Sequence, residues 1–160
     1  MRTGNFFDSR QVFSLDEATH VLALPGGRAG TVERLKHHLQ TGKLKLVSRG
    51  IYAVVPAGIN AERFQVDAFL VTAVLRSDSV FSYHSKLELL GTAQSLWKQC
   101  TVFTGQRRWP INLDGIKLCF LDHPSPLQKG SDLVLGTQRV ERRGRLLITT
   151  GPERTLVEGF

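Results

Sequence analysis

Between residues 31 and 41 the apolar residues recur at the spacing of an α-helix. Val32, Leu35 and Leu39 would share one face of that helix, and Gly42 follows its last turn as a terminator. The opposite face would carry polar and cationic side chains, namely Arg34, His37 and Thr41, with His38 at its edge. The pattern predicts a helix that packs by its apolar face and exposes a cationic one.

Two short runs rich in branched apolar residues follow, Lys43–Val47 and Ile51–Val55. Such runs predict strands. The Ser48-Arg49-Gly50 segment between them predicts a tight hairpin turn, because glycine adopts a positive φ at little cost. The hairpin would follow the helix directly.

Another helix is predicted upstream. Ser14, with Glu17 three residues later, forms the capping-box pattern, and residues 11–13 would be a short strand leading into it. Pro25-Gly26-Gly27 predicts a break, after which Thr31 would cap the cationic helix. Two helices and a hairpin are typical of a winged helix-turn-helix, whose second helix enters the major groove while the hairpin follows the DNA backbone. We predict this domain over residues 1–56.

The remainder, residues 61–160, predicts an α+β domain. Helical periodicity covers 64–75 and resumes from Ser82 to Gly91, and strands are predicted at 80–81, 99–104, 116–121, 133–140 and 146–149. A last helix would begin near Pro152 and spans only about two turns by Phe160, so we expect the chain to be part of a longer protein. The predicted fold class is α+β, an N-terminal winged helix-turn-helix followed by a mixed α/β C-terminal domain.

The net charge of the chain indicates what kind of partner it binds. The 160 residues carry a formal net charge of +7 with a pI of about 9.9, which suits a polyanion. Between Arg28 and Arg49 there are six basic residues and one acidic residue, Glu33. The excess charge is therefore concentrated on the predicted helix and hairpin.

The cysteines and the lengths of the apolar runs bear on metal binding, location and membrane insertion. Cys100 and Cys119 have no CxxC spacing and no nearby histidines, so no zinc site or other cofactor is predicted. Two isolated cysteines in a chain without a signal peptide favour reduced thiols and a cytoplasmic location. No apolar run approaches the roughly 20 residues needed to span a bilayer.

Three phrases together resemble the AbiEi-type antitoxins, the transcriptional regulators of type IV toxin–antitoxin systems. They are KLVSRGIYAV (45–54), FLVTAVLRSDSVFSYHSKLELLG (69–91) and TTGPERTLVEGF (149–160), and the resemblance covers about residues 14–160. It implies a winged helix-turn-helix that binds repeats in its own promoter and a C-terminal domain that carries antitoxicity. The implied partner is a nucleotidyltransferase-like toxin, opposed without a stable complex. The helix that usually precedes the helix pair is short or missing in this sequence, and the helical sequence that usually follows the third phrase is absent.

The resemblance and the charge pattern together select ten candidate DNA-binding residues. Thr31 and Arg34 would meet base edges, while Lys43, Lys45 and Arg49 would hold phosphates. The resemblance places the family's DNA-binding surface at Arg28, Thr31, Arg34, Lys36 and His38 of the helix and at Lys45, Ser48 and Arg49 of the hairpin; His37 and Lys43 complete the set.

Other motifs have weaker chemical interpretations. Tyr83-His84-Ser85 contains an adjacent serine and histidine, but neighbouring residues on a helix point in different directions, so capping and packing are favoured over catalysis. Asp114 to Lys117 lacks the second carboxylate of a metal-dependent nuclease and favours a polar turn. A second basic run comprises Arg139, Arg142, Arg143 and Arg145; a solvated turn is the simplest interpretation, and contact with DNA backbone or RNA the alternative.

The sequence thus predicts a non-enzymatic, DNA-binding transcriptional regulator, the antitoxin and autorepressor of a toxin–antitoxin operon. Its partners would be double-stranded DNA and the toxin. Two alternatives stay open: a protein-interaction module whose basic helix is merely solvated, and a metal-dependent nuclease.

Overall fold

The computed structural model describes residues 2–82, 85–86, 98–105, 109–123 and 136–151. The chain divides into two compact units, Met1–Leu75 and Arg76–Phe160. The described residues form four helices and two sheets, so the fold class is α+β as predicted. Within the described residues, no helix is both long enough and apolar enough to cross a membrane.

The first unit contains four helices and a three-stranded antiparallel sheet of order β1-β3-β2. Its elements follow in the order α1 (Thr3–Ser9), β1 (Val12–Ser14), α2 (Leu15–Leu22), α3 (Gly27–Gln40), β2 (Leu44–Ser48), β3 (Ile51–Val54) and α4 (Ala68–Leu75). Helix α1 lies in a segment for which the sequence pattern predicted only a short strand, and that strand follows it as β1.

The predicted capping box forms in part. Ser14 precedes α2 in an extended conformation, and its Oγ accepts a hydrogen bond of 3.0 Å from the backbone N–H of Glu17. The Glu17 carboxylate instead forms an ion pair with Arg10, at 2.8 Å. Helix α2 thus begins at the predicted residue and is joined to the segment after α1.

One face of the sheet packs on the helices. The apolar cluster joins side chains of α1, α2, α3 and all three strands; its buried members are Phe6, Phe13, Leu15, Ala18, Leu22, Leu35, Leu44 and Tyr52. Phe13 lies between Phe6, edge-on at 4.9 Å, and Tyr52, stacked at 5.7 Å between ring centroids. The cluster therefore holds α1 and the sheet together through aromatic contacts.

The boundary predicted between residues 56 and 61 places α4 in the second domain. In the structure the first unit extends to Leu75 and therefore includes α4. Helix α4 packs against β1 and β3. Val12 and Ala53 are paired across those strands, alternate with Phe13 and Tyr52, and are buried, so the second face of the sheet is apolar as well. A sheet with two apolar faces needs a cover on each, which explains why the division follows Leu75.

The second unit is built on a mixed six-stranded sheet of order β6-β7-β5-β4-β9-β8. The strands are β4 (Val80–Phe81), β5 (Gln99–Phe103), β6 (Ile111–Leu113), β7 (Ile116–Leu121), β8 (Thr137–Arg142) and β9 (Arg145–Thr150). A hydrogen-bonded carboxylate joins the segment before β4 to the segment after β5. The Asp78 carboxylate accepts from Thr104 Oγ1 at 2.6 Å and from the Gly105 N–H at 2.7 Å. The predicted helices at 82–91 and from Pro152 fall largely outside the described residues.

The turn between α2 and α3 depends on a glycine at which two backbone segments nearly touch. A Cβ atom added at Gly30 would overlap the carbonyl oxygen of Pro25. The amide of Gly30 also donates to the carbonyl of Gly26, at 3.3 Å. Close packing of this turn against the first residues of α3 is therefore possible only without a side chain at residue 30.

We expect Gly30→Ala to lower the free energy of unfolding by about 1–3 kcal/mol, because the turn must open to accept the methyl group. Equilibrium urea unfolding measures the change. Gly4→Ala is the matched control: Gly4 lies in α1 with open space around its Cβ position, so its replacement should be neutral or stabilise by less than about 1 kcal/mol. Equal effects at the two glycines would contradict the assigned role of Gly30.

Candidate nucleic-acid interface

The burial of two residues fixes which side of α3 faces outward. Thr31 and Leu35 are fully buried, and Val32 and Leu39 pack partly buried against the apolar cluster. Residues four apart lie on the same side of a helix, so the Thr31–Leu35 side faces the core. Arg34 and His37, three residues apart on another side, are exposed.

A lysine continues this exposed side beyond the end of α3. Lys43 is exposed, and its backbone N–H donates to the carbonyl of His38 at 3.0 Å. Arg34, His37 and Lys43 all lie near enough to His38 to lower its pKa electrostatically. The cations Arg34 and Lys43 and the exposed His37 therefore lie close together at the C-terminal half of α3.

The hairpin adds a cation at its turn. Ser48 pairs with Ile51 across the two strands, which leaves Arg49 and Gly50 as the turn residues. Gly50 has φ 74°, the left-handed conformation expected there, and Arg49 is exposed while Ser48 is half-buried. The predicted hairpin therefore exists, with β2 beginning at Leu44 and an irregularity in register between Leu46 and Ser48.

Three of the predicted DNA-binding cations have partners within the first unit. The guanidinium of Arg28 forms an ion pair with Asp16 of α2, and Lys36 pairs with Glu33 one turn away, at 2.9 Å. Both pairs are exposed and hence weak, so either cation can exchange its partner for a phosphate. Lys45 is different because it is half-buried and its Nζ donates to the backbone carbonyl of Phe64 at 2.9 Å. Its ammonium group joins the hairpin to the segment before α4.

Thr31 does not lie where the sequence pattern placed it. Helix α3 begins at Gly27, one turn earlier than predicted, with Gly26 as its N-cap. Thr31 is therefore inside the helix, fully buried, and its Oγ1 donates to the carbonyl of Gly27 at 3.0 Å. It cannot both pack there and contact a base, so its assignment as a base-contacting residue is wrong.

His38 is also turned away from the exposed side. Its ring packs edge-on against Phe7 of α1 with centroids 5.0 Å apart and lies 5.5 Å from the ring of His37. Both ring nitrogens are buried and have no hydrogen-bond partner among the described residues. Burial lowers the pKa of His38 below its ordinary value of 6.5, and the nearby His37, Lys43 and Arg34 lower it further. An imidazole whose two nitrogens are both buried is a packing residue, so a DNA contact through them is not supported.

The set of exposed cations without an ion pair inside the first unit is smaller than the predicted set. Within the described residues, Arg34, Lys43 and Arg49 form no ion pair or side-chain hydrogen bond, and His37 lies exposed between the first two. Exposed cations on a helix and on the hairpin beside it have the chemistry to bind an anionic polymer.

The other candidate motifs have structural roles where they are described. Ser85 is buried, and its Oγ accepts from the backbone N–H of Thr101 at 2.7 Å, so this serine packs against β5; Tyr83 and His84 lie outside the described residues. Asp114 and Gly115, with φ 48° and 85°, form the two-residue turn between β6 and β7. Within the described ranges, no three histidine, cysteine, aspartate or glutamate side chains are grouped to hold a metal ion.

The sequence pattern did not predict three contacts of the site. They join Asp16 with Arg28, Phe7 with His38, and the Phe64 carbonyl with Lys45. Their partners are 12, 31 and 19 residues apart, beyond any helical or strand periodicity. The adjacent residues Phe6 and Phe7 were a signal for a packed segment there, since phenylalanine is among the residues most often buried.

Comparison with models of known protein families finds no match, and neither does comparison with curated protein sequences.

We expect the first unit to lose stability as the pH falls below about 6.5. His38 has a lowered pKa in the folded state, so between that pKa and 6.5 the unfolded chain binds the proton more tightly, and acid favours unfolding. His38→Leu should flatten this part of the profile, because leucine can pack on Phe7 without titrating. Urea midpoints at pH 7.5 and pH 5 measure the difference.

The control for that experiment is His20→Gln, at an exposed residue in the last turn of α2. It should keep the acid loss of the parent protein. If His38→Leu loses as much stability in acid as the parent does, then His38 is not the group responsible.

Proposed function

We propose that this protein is a sequence-specific DNA-binding transcriptional regulator. The observation that carries the proposal is the exposure of the cations Arg34 and Lys43, on α3 and at its end, and of Arg49 at the hairpin turn. Helix α3 would enter the major groove, and the β2–β3 hairpin would follow the backbone of the flanking DNA.

The arrangement of the first unit supports this docking. The order α1-β1-α2-α3-β2-β3, with a β1-β3-β2 sheet, is the order expected of a winged helix-turn-helix. In that arrangement the helix before the hairpin is the one presented to DNA, and here it is also the helix with the exposed cations. Topology and charge thus favour the same surface.

The contacts within the first unit change which residues we expect to touch bases, hold phosphates or support the site. Arg34 is the best candidate to contact a base edge, because it is exposed on α3 and arginine is the commonest partner of guanine. Lys43 and Arg49 would hold phosphates on either side of it and set the register. Thr31, His38 and Lys45 would support the shape of the site, while Arg28 and Lys36 would contribute after leaving their acidic partners.

We further infer that the protein acts as the antitoxin and autorepressor of a type IV toxin–antitoxin operon. The support is the resemblance of residues 45–54, 69–91 and 149–160 to AbiEi-type antitoxins. On that basis the DNA would be repeats in the protein's own promoter. The partner would be a nucleotidyltransferase-like toxin, opposed without a stable complex.

We expect Arg34→Ala to weaken binding to the promoter repeat by about 1–3 kcal/mol, roughly 5- to 150-fold, because a bidentate base contact is lost. Binding to a scrambled duplex should change far less, since phosphate contacts supply most of that affinity. Fluorescence anisotropy with both duplexes measures the two constants.

The matched control is Lys117→Ala, which removes one exposed charge from β7 of the second unit. It should leave the ratio of promoter to scrambled affinity unchanged. If Arg34→Ala and Lys117→Ala bind the two duplexes alike, α3 does not read the sequence. Failure of the parent to shift its own upstream DNA would favour the protein-interaction alternative.

We expect the full chain to restore growth to cells that express the nucleotidyltransferase-like protein encoded beside it, when both genes have constitutive foreign promoters. Repression plays no part under those promoters, so Arg34→Ala should rescue as well as the parent. Growth curves measure the rescue. Absence of rescue by the parent would contradict the antitoxin assignment and leave the DNA-binding proposal intact.

A further inference from the structure

Strand β8 lies at one end of the six-stranded sheet, and among the described residues it has a neighbouring strand, β9, on one side only. The two strands pair over Thr137–Arg142 without a shift in register. Strands at the end of a sheet present backbone groups to which another strand can bind. The regular course of β8 keeps its edge suitable for pairing, whereas β2 has an irregularity between Leu46 and Ser48.

The pairing with β9 determines which backbone groups of β8 point to the open edge. The Gly151 N–H donates to the Gly136 carbonyl at 2.6 Å, so this opposite pair is hydrogen-bonded. Bonded and non-bonded pairs alternate along an antiparallel ladder, so the even-numbered residues 138–142 bond to β9. The N–H and C=O groups of Arg139 and Glu141 therefore point away from β9.

The two residues with outward backbone groups carry opposite charges. Arg139 and Glu141 are both exposed, and within the described residues neither forms an ion pair. They are two apart on one strand, so their side chains lie on the same face of the sheet, and the half-buried Val140 lies on the other. The edge therefore has the sequence Arg-Val-Glu, which is complementary in charge to a second copy of itself running antiparallel.

One register satisfies both the backbone and the charges. With Val140 of each copy opposite the other, Arg139 of each copy lies opposite Glu141 of the other. Both residues of such a pair have outward backbone groups and can exchange two hydrogen bonds, with their Cα atoms about 5.5 Å apart. Unlike charges directly opposite in a strand pair stabilise it.

Neighbouring registers are disfavoured. If one copy slides by two residues, Arg139 meets Arg139 or Glu141 meets Glu141, and like charges opposite each other repel. A slide by one residue sets outward backbone groups against inward ones and breaks the bonding pattern. Charges on an edge strand prevent association when like charges meet, but here the antiparallel copy brings unlike charges together.

We propose that two copies of this chain associate through β8, antiparallel and with two-fold symmetry, so that their six-stranded sheets become continuous. The contact lies within the second unit and does not depend on the proposed DNA binding. A single strand pair is a small interface, so the dissociation constant should be on the order of 10⁻⁵ M.

Charge reversal at the edge tests this contact, in the full chain and without DNA. Arg139→Glu and Glu141→Arg each set like charges opposite one another in a pair of identical chains. The double variant Arg139→Glu/Glu141→Arg exchanges the charges and restores complementarity. An equimolar mixture of the two single variants restores it as well, because each chain then meets the opposite charge on the other. The matched controls are Lys117→Glu, on β7, and Glu62→Arg, in the first unit, both at exposed residues.

Sedimentation velocity measures the association, at about 0.05 M salt, where exposed charges are little screened. The protein concentration should range from well below to well above the expected dissociation constant. Each single variant should associate roughly 10- to 100-fold more weakly than the parent, while the double variant and the mixture recover parental association. The controls should match the parent. Far-ultraviolet circular dichroism establishes that each variant is folded.

A parent that stays monomeric over this range overturns the inference. Association of the single variants equal to that of the parent also overturns it, because another surface would then be responsible. A loss in the single variants that neither the double variant nor the mixture recovers would contradict the proposed register. None of these results bears on DNA binding by α3, which the Arg34→Ala experiment tests separately.

Discussion

The rotation of α3 about its own axis is the constraint on which the rest of the site depends. It is set by the burial of Thr31 and Leu35 against the cluster that α1, α2 and the sheet share. Because that side is buried, Arg34 and His37 must point outward, and Lys43 continues the same side at the helix end. Charge on its own would not have selected these residues; the packing of two uncharged side chains does.

Much of the fold follows from local patterns, because helix caps and turns are local interactions. The Ser14 cap, the α3 apolar side and the hairpin turn at Arg49-Gly50 were all predicted, as were the bounds of β4 and β7. The start of α3 was not, since Thr31 resembles a cap while Gly26 provides it. Helix α1 and the short strand β6 were also missed, because seven and three residues show too little periodicity to detect.

The site was harder to predict than the fold, since the fate of each cation depends on residues distant in sequence. Arg28 and Lys45 have the same charge pattern around them as Arg34, yet Asp16 and the Phe64 carbonyl engage them. His38 stands beside His37 in sequence but packs on Phe7, from a helix that the pattern did not predict. A charge run therefore identifies the region of an interface, whereas tertiary contacts decide which of its members remain available.

The β2 strand has a consequence of a different kind. It lies at one end of the three-stranded order, and its Leu46 is 53% exposed, an unusual state for a large apolar side chain on a strand. Strands at such ends invite pairing with a second molecule, and charged neighbours are a common means of discouraging it. Lys43 is exposed immediately before β2, so repulsion between the Lys43 side chains of two molecules would oppose pairing through this strand. An increase in salt concentration screens that repulsion and would therefore favour self-association through β2.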